Sequence, residues 1–332
     1  MDKIKVVVRM RPMNERETLA GQSSAWSVSQ TTVSLAGSDK PAFAFDAAFS
    51  HLETTRNIFD SQAKDLIDDC CEGINATVFA YGQTSSGKTF TMSGDKNAPG
   101  IISLAINHIF ARIAKSTDLT YTVKVSYLEI YNEVVNDLLS PGNINLKIHE
   151  HMTRGVHVGG LTETLANSPD HVAALISKGE ANRHFGATNM NERSSRSHTI
   201  LRILIQSQRK ESVAAGKQSG IRVSCLNLVD LAGSERAAHT GAEGKRLKEG
   251  GSINKSLLAL TNVIEKLSKE GSDRGHIPFR NSKITRILQP SLGGNARTLI
   301  ICTVTPSTGF IDETISTLKF ASRAKSILSR AD

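Results

Sequence analysis

The most constraining feature of this sequence is a glycine-rich stretch that directly follows a short predicted strand. Residues Thr77–Ala80 form that strand, and Gly82-Gln83-Thr84-Ser85-Ser86-Gly87-Lys88-Thr89 follows it. The stretch has the G-x-x-x-x-G-K-[ST] spacing of a phosphate-binding loop, in the context that such loops require. Glycine lets the backbone approach phosphate oxygens, and successive N–H groups with the following helix N-terminus attract negative charge. We therefore predict that the phosphates of a nucleotide bind here.

Two side chains of this loop have specific predicted roles. Lys88 is expected to neutralise charge on the β- and γ-phosphates, and the Thr89 hydroxyl is expected to hold Mg²⁺. The alternative is a chance turn rich in glycine and serine. The combination of strand, loop and lysine argues against that alternative and predicts an NTPase.

Alternating strand and helix patterns predict an α/β fold with a central, mostly parallel mixed sheet and helices on both faces. The predicted strands are Ile4–Met10, Thr77–Ala80, Val123–Ile130, Ile200–Ile205, Ile221–Val229 and Thr298–Val304. The predicted helices are Arg56–Cys71, Ile101–Lys115, Pro169–Asn182, Ser252–Lys269, Ser282–Leu288 and Thr314–Ile327. Glycine and proline pairs such as Gly250-Gly251 are read as joints. The pattern favours one domain over residues 1–326.

Charge and composition limit the classes of partner that this chain could bind. Lysine and arginine total 40 against 32 acidic residues, a formal charge of +8, which favours an acidic partner. Aromatic residues make up only 5%, which argues against stacking on single-stranded nucleic acid. No apolar run is long enough to span a bilayer, the N-terminus lacks a signal-peptide pattern, and the four cysteines show neither metal spacing nor a disulfide framework. We expect a soluble, intracellular protein that binds neither membrane nor nucleic acid.

A second candidate phosphate contact follows the strand Ile221–Val229. Asp230 stands at the tip of that strand, where a second Mg²⁺ support is expected, and Gly233 follows in a turn. The N–H of Gly233 is predicted to reach a γ-phosphate, and its missing Cβ lets the turn change conformation. The alternative is an ordinary turn that begins at an aspartate.

A third segment, Asn191–His198, precedes the strand Ile200–Ile205. Its serines Ser194 and Ser195, next to Arg196, suit a loop that closes on Mg²⁺ and a γ-phosphate. The alternative is a solvated polar loop.

The three segments together resemble the kinesin superfamily of motor domains. GQTSSGKT, NERSSRSH and DLAGSE occur in the order that the family has. Further matching segments, which extend the resemblance over essentially the whole chain, are Arg9–Pro12, Leu128–Glu133, Asn254–Leu257, His276–Arg280, Ser291–Asn295 and Phe320–Lys325.

The resemblance implies an ATP hydrolase with ATP or ADP and Mg²⁺ as ligands. Arg9, Pro12 and Phe90 would sandwich the adenine, with Arg11 in the same segment. Ser195 would reach the metal, and Asp230 would hold a water bound to it. Arg196 and Glu235 would form a salt bridge between the two switch segments, and Glu235 would help to receive the proton of the attacking water.

The resemblance also implies that the chain binds microtubules, whose surface is acidic. The expected contacts are basic residues: Lys245, Arg246 and Lys248 in a loop after the second switch segment, and Lys255, Arg274, His276, Arg280, Lys283 and Arg286 further on. Taken singly, each is an ordinary solvated charge. Asn281 replaces the aspartate common in the family, which removes a negative charge beside Arg280 and Lys283.

Several shorter segments resemble those of the centromere-associated kinesins. Two of them are Arg183-His184-Phe185-Gly186 and Arg246–Gly250. This implies a role on the spindle or kinetochore in mitosis. A motor that starts almost at its first strand implies movement toward plus ends. Residues 327–332 would begin a neck linker, the chain itself would be monomeric, and a longer protein would dimerise through a coiled coil outside this sequence.

Two other functions remain open at this stage. A GTP-binding switch protein is disfavoured because the guanine signature Asn-Lys-x-Asp is missing. A microtubule-binding module without catalysis is disfavoured by the intact set Lys88, Thr89, Arg196, Asp230 and Glu235.

Overall fold

The computed structural model describes residues 2–151, 155–185, 194–210, 220–235, 245–269 and 275–329. Within these ranges the side chains of residues 2, 184–185, 194, 245–254 and 329 are not described. The strands are β1 Asp2–Lys3, β2 Lys5–Met10, β3 Trp26–Val28, β4 Thr32–Leu35, β5 Phe43–Ala44, β6 Ala47–Phe49, β7 Ala76–Tyr81, β8 Leu119–Tyr131, β9 Val134–Asp137, β10 Ile148–His151, β11 Gly155–Val158, β12 Thr164–Ala166, β13 Ser197–Arg209, β14 Arg222–Asp230, β15 Arg297–Val304 and β16 Leu328–Ser329. The α-helices are α1 Glu15–Leu19, α2 Thr55–Ile58, α3 Lys64–Cys71, α4 Lys88–Met92, α5 Ile101–Lys115, α6 Pro169–Phe185, α7 Lys245–Leu267, α8 Lys283–Ile287 and α9 Ile311–Ala324.

The central sheet is mixed, which confirms the predicted fold class. In the described part of the chain, its strands follow the order β12-β8-β13-β14-β7-β15-β2-β6, and β9 pairs with β8 at the side. The pairs from β14 through β7, β15 and β2 to β6 are parallel, whereas β12, β8, β13 and β14 pair antiparallel. The phosphate loop follows β7, so it leaves the sheet at the carboxyl edge of the parallel half.

The strand β7 shows why this half of the sheet is buried on both faces. Alternate side chains of a strand point to opposite faces. Val78 and Ala80 pack into the core that holds α3 and α5, while Phe79 and Tyr81 pack into the core that holds α7 and α9. Tyr81 stacks on Phe320 of α9, with ring centroids 3.7 Å apart. Because both faces of β7 are buried, its sequence is a nearly continuous apolar run and does not alternate with polar residues.

All six predicted strands are present, and apart from shifts of about one turn at helix ends the helices differ from prediction in three places. A π-helical turn, Phe59–Ala63, separates α2 from α3 inside the predicted helix Arg56–Cys71. The short helix α1 was not predicted, whereas α4 is the helix that the phosphate-loop motif requires.

The third difference is that α7 begins at Lys245, seven positions before the predicted start, and runs through Gly250-Gly251. The reading of those glycines as a joint was wrong. Each glycine costs a helix only about 1 kcal/mol, which the packing of Leu257, Leu260 and Ile264 into the core outweighs.

Across the part of the chain that the structure covers, every helix is too short or too polar to cross a bilayer.

Candidate nucleotide site

The phosphate loop has a backbone that only glycine accommodates at two positions. At Gly82, a Cβ would lie 2.2 Å from the carbonyl oxygen of Thr303, so any side chain would collide with β15. Gly87 has φ +102°, in the left-handed region, and stands immediately before α4. Both positions of the sequence motif are thus explained by the path of the loop between β7 and α4.

Lys88 is buried inside the loop that it follows. Its Nζ donates to the carbonyl oxygens of Gly82 and Gln83, both at 2.8 Å. Burial lowers the pKa of Lys88, and the charges of Asp230 and Glu235 oppose that effect. The ammonium is therefore held by two loop carbonyls, at the place where the sequence predicts a phosphate contact.

Thr89 and Asp230 come together across the site, as a shared metal would require. The Thr89 hydroxyl donates to Asp230 Oδ2 at 2.6 Å. Asp230 Oδ1 is buried and has no hydrogen-bond partner among the described residues. Burial raises the pKa of Asp230, while the charge of Lys88 and the Thr89 hydrogen bond oppose the rise. A hydroxyl beside an unsatisfied carboxylate oxygen fits the oxygen ligands that Mg²⁺ takes.

The predicted adenine residues meet at the end of β2. Arg9 is buried, and its Nη1 donates to the hydroxyls of Thr55 and Thr91, both at 2.9 Å. Its guanidinium lies 5.1 Å from the ring centroid of Phe90, a residue that is 41% exposed. Pro12 is exposed beyond the strand. Phe90 therefore keeps an accessible ring face, and the two threonines that hold Arg9 were not predicted.

Arg11 braces the loop backbone. Its Nε donates to the carbonyl oxygen of Ser85 at 2.7 Å, and its two terminal nitrogens contact the carboxylate of Glu17. The hydrogen bond from Arg11 is the main favourable cause of the lowered pKa of Glu17, which burial opposes. Ser85 itself has φ +62°, so the arginine supports a strained part of the loop.

The two switch segments touch each other and the loop through backbone groups. The N–H of Gly233 donates to the carbonyl oxygen of Ser195 at 2.9 Å, and the N–H of Ser234 donates to that of Gly82 at 3.1 Å. The Gly233 N–H that was predicted to meet a γ-phosphate is thus engaged by Ser195. Ser194 lies in the same 3₁₀ turn, Ser194–Arg196, while residues 191–193 of that motif lie outside the described residues.

Glu235 lies against the phosphate loop instead of Arg196. Its Oε2 accepts from the backbone N–H of Thr84 at 2.7 Å, and its Oε1 accepts from the Thr84 hydroxyl. A Cβ on Gly233 would lie 2.2 Å from Thr84 Oγ1, so this contact also depends on glycine there. The predicted bridge to Arg196 is not formed in this arrangement and stays a prediction.

His198 is a connecting residue that the sequence reasoning missed. Its Nδ1 accepts from the N–H of Ala232 at 3.0 Å, and its Nε2 lies 2.9 Å from Ser256 Oγ of α7. Burial, aided by the charges of Lys88 and Arg183, lowers the pKa of His198 to about 3. A neutral imidazole therefore joins the first switch segment to the second and to α7. The sequence signal that could have identified His198 is its position at the end of the SSRSH motif, residues 194–198.

The predicted microtubule-binding residues that are described lie on α7, on α8 and in the segment between the two helices. Lys255, His276 and Arg280 are exposed, and Lys283 and Arg286 are half-buried. Arg280 Nη2 lies 3.2 Å from Glu150 Oε2. Lys245, Arg246 and Lys248 were predicted in a loop, which is wrong for their backbone, since they lie in α7. Their side chains, and the whole of Arg274, lie outside the described residues.

Glu133 anchors α8 and was not predicted to act there. It lies with Asn132 in the turn between β8 and β9, and both residues have positive φ. Its carboxylate accepts from the N–H of Lys283 at 2.8 Å and from the hydroxyl of Ser282 at 2.7 Å. The Leu128–Glu133 motif thus holds the N-terminus of the helix that carries Lys283 and Arg286.

The fold and this site together define a P-loop NTPase. A profile of the kinesin motor domain matches residues 9–327. The kinesin-like protein KIN-7L of Oryza sativa subsp. japonica is 52% identical over 98% of this chain, and centromere-associated protein E of Homo sapiens is 48% identical over 97%. The chain covers 52% and 12% of those two proteins.

Solved structures agree with the sequence comparison. The structure of a fast kinesin superposes with a TM-score of 0.91 at 43% identity, covering 99% of this chain and 93% of that one. A KIF14 dimer, bound with AMP-PNP to a microtubule, superposes with a TM-score of 0.90 at 35% identity, covering 100% and 96%. The chain belongs to the kinesin motor-domain family. Kinesin motor domains bind adenine nucleotides and are ATPases.

Proposed function

We propose that this chain is a microtubule-stimulated ATPase that converts ATP hydrolysis into force or movement along microtubules. The observation that carries the proposal is the pairing of Thr89 with Asp230 near the buried side chain of Lys88. The second carboxylate oxygen of Asp230 is buried and has no partner among the described groups. A cation site and a phosphate site thereby adjoin at the tip of the parallel sheet. Mg²⁺ bound there would neutralise charge that develops on the phosphates.

The residues of this chain divide the work of hydrolysis. Lys88 leaves the carbonyls of Gly82 and Gln83 to meet phosphate oxygens, and Arg9 with Phe90 and Pro12 binds the adenine. Ser195 and Thr89 would hold the cation, and Asp230 would support it through a bound water. Glu235 moves from Thr84 to Arg196 and helps to receive the proton of the attacking water. Phosphoryl transfer depends on this positioning more than on covalent chemistry.

The partner proposed for the basic face of α7 and α8 is the microtubule. The formal charge of +8 and the exposed side chains of Lys255, His276 and Arg280 favour an acidic protein surface. His198 supports a route from nucleotide to track, because it contacts both the second switch segment and α7. A similar chain, KIF14, is bound to a microtubule in its solved structure.

The cellular role that we propose is movement on the mitotic spindle. It is supported by the 48% identity with centromere-associated protein E. Movement toward plus ends and dimerisation of a longer protein stay predictions. A gliding assay on polarity-marked microtubules tests the direction, and the mass of a longer chain in solution tests dimerisation.

The experiment that tests the proposal is ATP turnover by the purified chain with and without polymerised tubulin. We expect turnover to rise steeply with microtubule concentration and to saturate. Turnover that ignores microtubules would overturn the proposal. Nucleotide-dependent microtubule binding without turnover would instead support the alternative of a non-motile binding module.

A further inference from the structure

A cavity of about 450 Å³ lies at the opposite end of β7 from the phosphate loop. Its floor is the sheet, where Arg202, Cys225 and Asn227 line it, and the hairpin residue His157 and Pro290 stand around it. We call it the Arg202 cleft. Its volume falls within the roughly 300–1,000 Å³ range typical of small-molecule sites.

Strand register places the polar residues of the floor on one face. Arg202 of β13 lies directly opposite Asn227 of β14, and Cys225 stands two positions before Asn227. Residues two apart in a strand share a face, and directly opposite residues do so across strands. A guanidinium, an amide and a thiol therefore open together into the Arg202 cleft.

Arg202 has little in the described structure to balance its charge. Its Nη2 lies 3.6 Å from Cys225 Sγ, and no described carboxylate lies within ion-pair distance. A guanidinium carries five N–H donors, so most of them remain available for an anion in the cleft. The charge of Cys225 is the main cause of the raised pKa of Arg202, burial opposes it, and the charge of Glu163 adds to it.

Cys225 differs from the other three cysteines in its access to solvent. Cys70, Cys71 and Cys302 are buried, and Cys225 is partly exposed. Burial raises the pKa of Cys70 to about 12 and that of Cys71 to about 11, which leaves those thiols unreactive. The Arg202 guanidinium lies next to Cys225 Sγ, so an anion that it attracts would be held beside this partly exposed sulfur. The thiolate is the form of a cysteine that attacks disulfides.

We propose that the Arg202 cleft is a modification site in which Cys225 forms mixed disulfides with small, carboxylate-bearing disulfides that Arg202 attracts. The Cys225 thiolate attacks one sulfur of the disulfide, and a new S–S bond forms as the old one breaks. The other half leaves as a thiolate and takes up the proton that Cys225 released. The Cys225 sulfur is oxidised and the departing sulfur is reduced, so no further oxidant is needed.

The test uses two disulfides of opposite charge, oxidised glutathione and cystamine. Each is added to the folded chain, and the site of the adduct is read by mass spectrometry of peptides. The rate at Cys225 is divided by the rate of the same reagent with the chain unfolded in urea, which removes intrinsic differences between the reagents. We expect Cys225 to be labelled well before the three buried cysteines and the normalised rate to favour glutathione several-fold.

Variants assign the preference to Arg202. Arg202→Gln is expected to abolish the preference for glutathione, and Arg202→Lys, which keeps the charge, is expected to retain it. Cys225→Ser should lose the adduct altogether. Equal normalised rates for both reagents in the unaltered chain would overturn the proposal, and so would labelling of Cys225 no faster than Cys70. The readout is the mass of the thiol adduct, so it is independent of ATP turnover.

Discussion

Both carboxylate oxygens of Glu235 accept hydrogen bonds from Thr84, one from its backbone N–H at 2.7 Å and one from its hydroxyl. The second switch segment is thus attached to the phosphate loop itself. The same carboxylate is the one that we propose to pair with Arg196 during hydrolysis. We expect Glu235 to leave Thr84 when it pairs with Arg196, so that Thr84 and Arg196 compete for the same carboxylate.

The competition predicts the effect of Thr84→Val, which removes the hydroxyl and keeps the shape. Losing one hydrogen bond to a charged, half-buried acceptor weakens the contact by about 1 kcal/mol, roughly fivefold in population. We expect turnover at saturating ATP without microtubules to rise several-fold, because Glu235 is freed for Arg196. Thr84→Ser keeps the hydroxyl and serves as the matched control. A valine variant that turns over ATP at the original rate would show that the contact does not restrain Glu235.

His198 predicts a dependence of stability on pH. Its folded pKa of about 3 lies below the ordinary value of 6.5, so between these values the unfolded chain binds a proton that the folded chain does not. The free energy of unfolding should therefore fall as the pH drops below 6.5, by about 1.4 kcal/mol per pH unit from this group.

The measurement is urea unfolding at several values between about pH 7 and about pH 5, compared with His198→Gln. Glutamine removes the titration and keeps a side chain that can accept and donate. We expect a shallower fall of stability with pH in the variant. Identical slopes in both proteins would mean that His198 is not buried in neutral form.

Lys88→Ala should weaken the free energy of nucleotide binding by more than it lowers the free energy of unfolding. The ammonium contacts only loop carbonyls among the described groups, and its burial is costly without phosphate. We expect binding of a fluorescent ATP analogue to weaken at least about tenfold, since a charge-assisted contact is lost. Affinity equal to that of the unaltered chain would remove Lys88 from the phosphate site.

Asn281→Asp tests the basic face. Asn281 is exposed beside Arg280, which already lies near Glu150. A new carboxylate there should weaken microtubule affinity at low salt and have less effect as salt rises, because exposed charges are screened. Cosedimentation with microtubules over a salt series measures this, with Asn281→Gln as the neutral control. An equal loss in both variants would indicate a steric effect and contradict the electrostatic account.

The sequence could predict the parts of this fold that depend on local pattern. The strand β7 and its loop were predictable because an apolar run and two glycines with fixed backbone roles stand together. The start of α7 was missed because Gly250-Gly251 reads locally as a break, whereas packing of the rest of the helix decides the outcome.

The same limit applies to the site. Asp230 and Thr89 were each predicted to support Mg²⁺ because each stands in a recognised segment, and the two side chains do meet. The contact of Glu235 with Thr84 and that of His198 with Ser256 depend on how distant segments pack, which no local pattern encodes. The sequence therefore predicted which residues belong to the site better than it predicted which residues they contact.

The central claim is that Glu235 acts in hydrolysis and not in nucleotide binding. The most direct measurement is microtubule-stimulated ATP turnover by Glu235→Ala, with fluorescent-ATP binding measured on the same preparation. The account predicts nearly unchanged binding and turnover reduced by at least about a hundredfold, as for a group needed only in the transition state. Normal turnover with normal binding would contradict it.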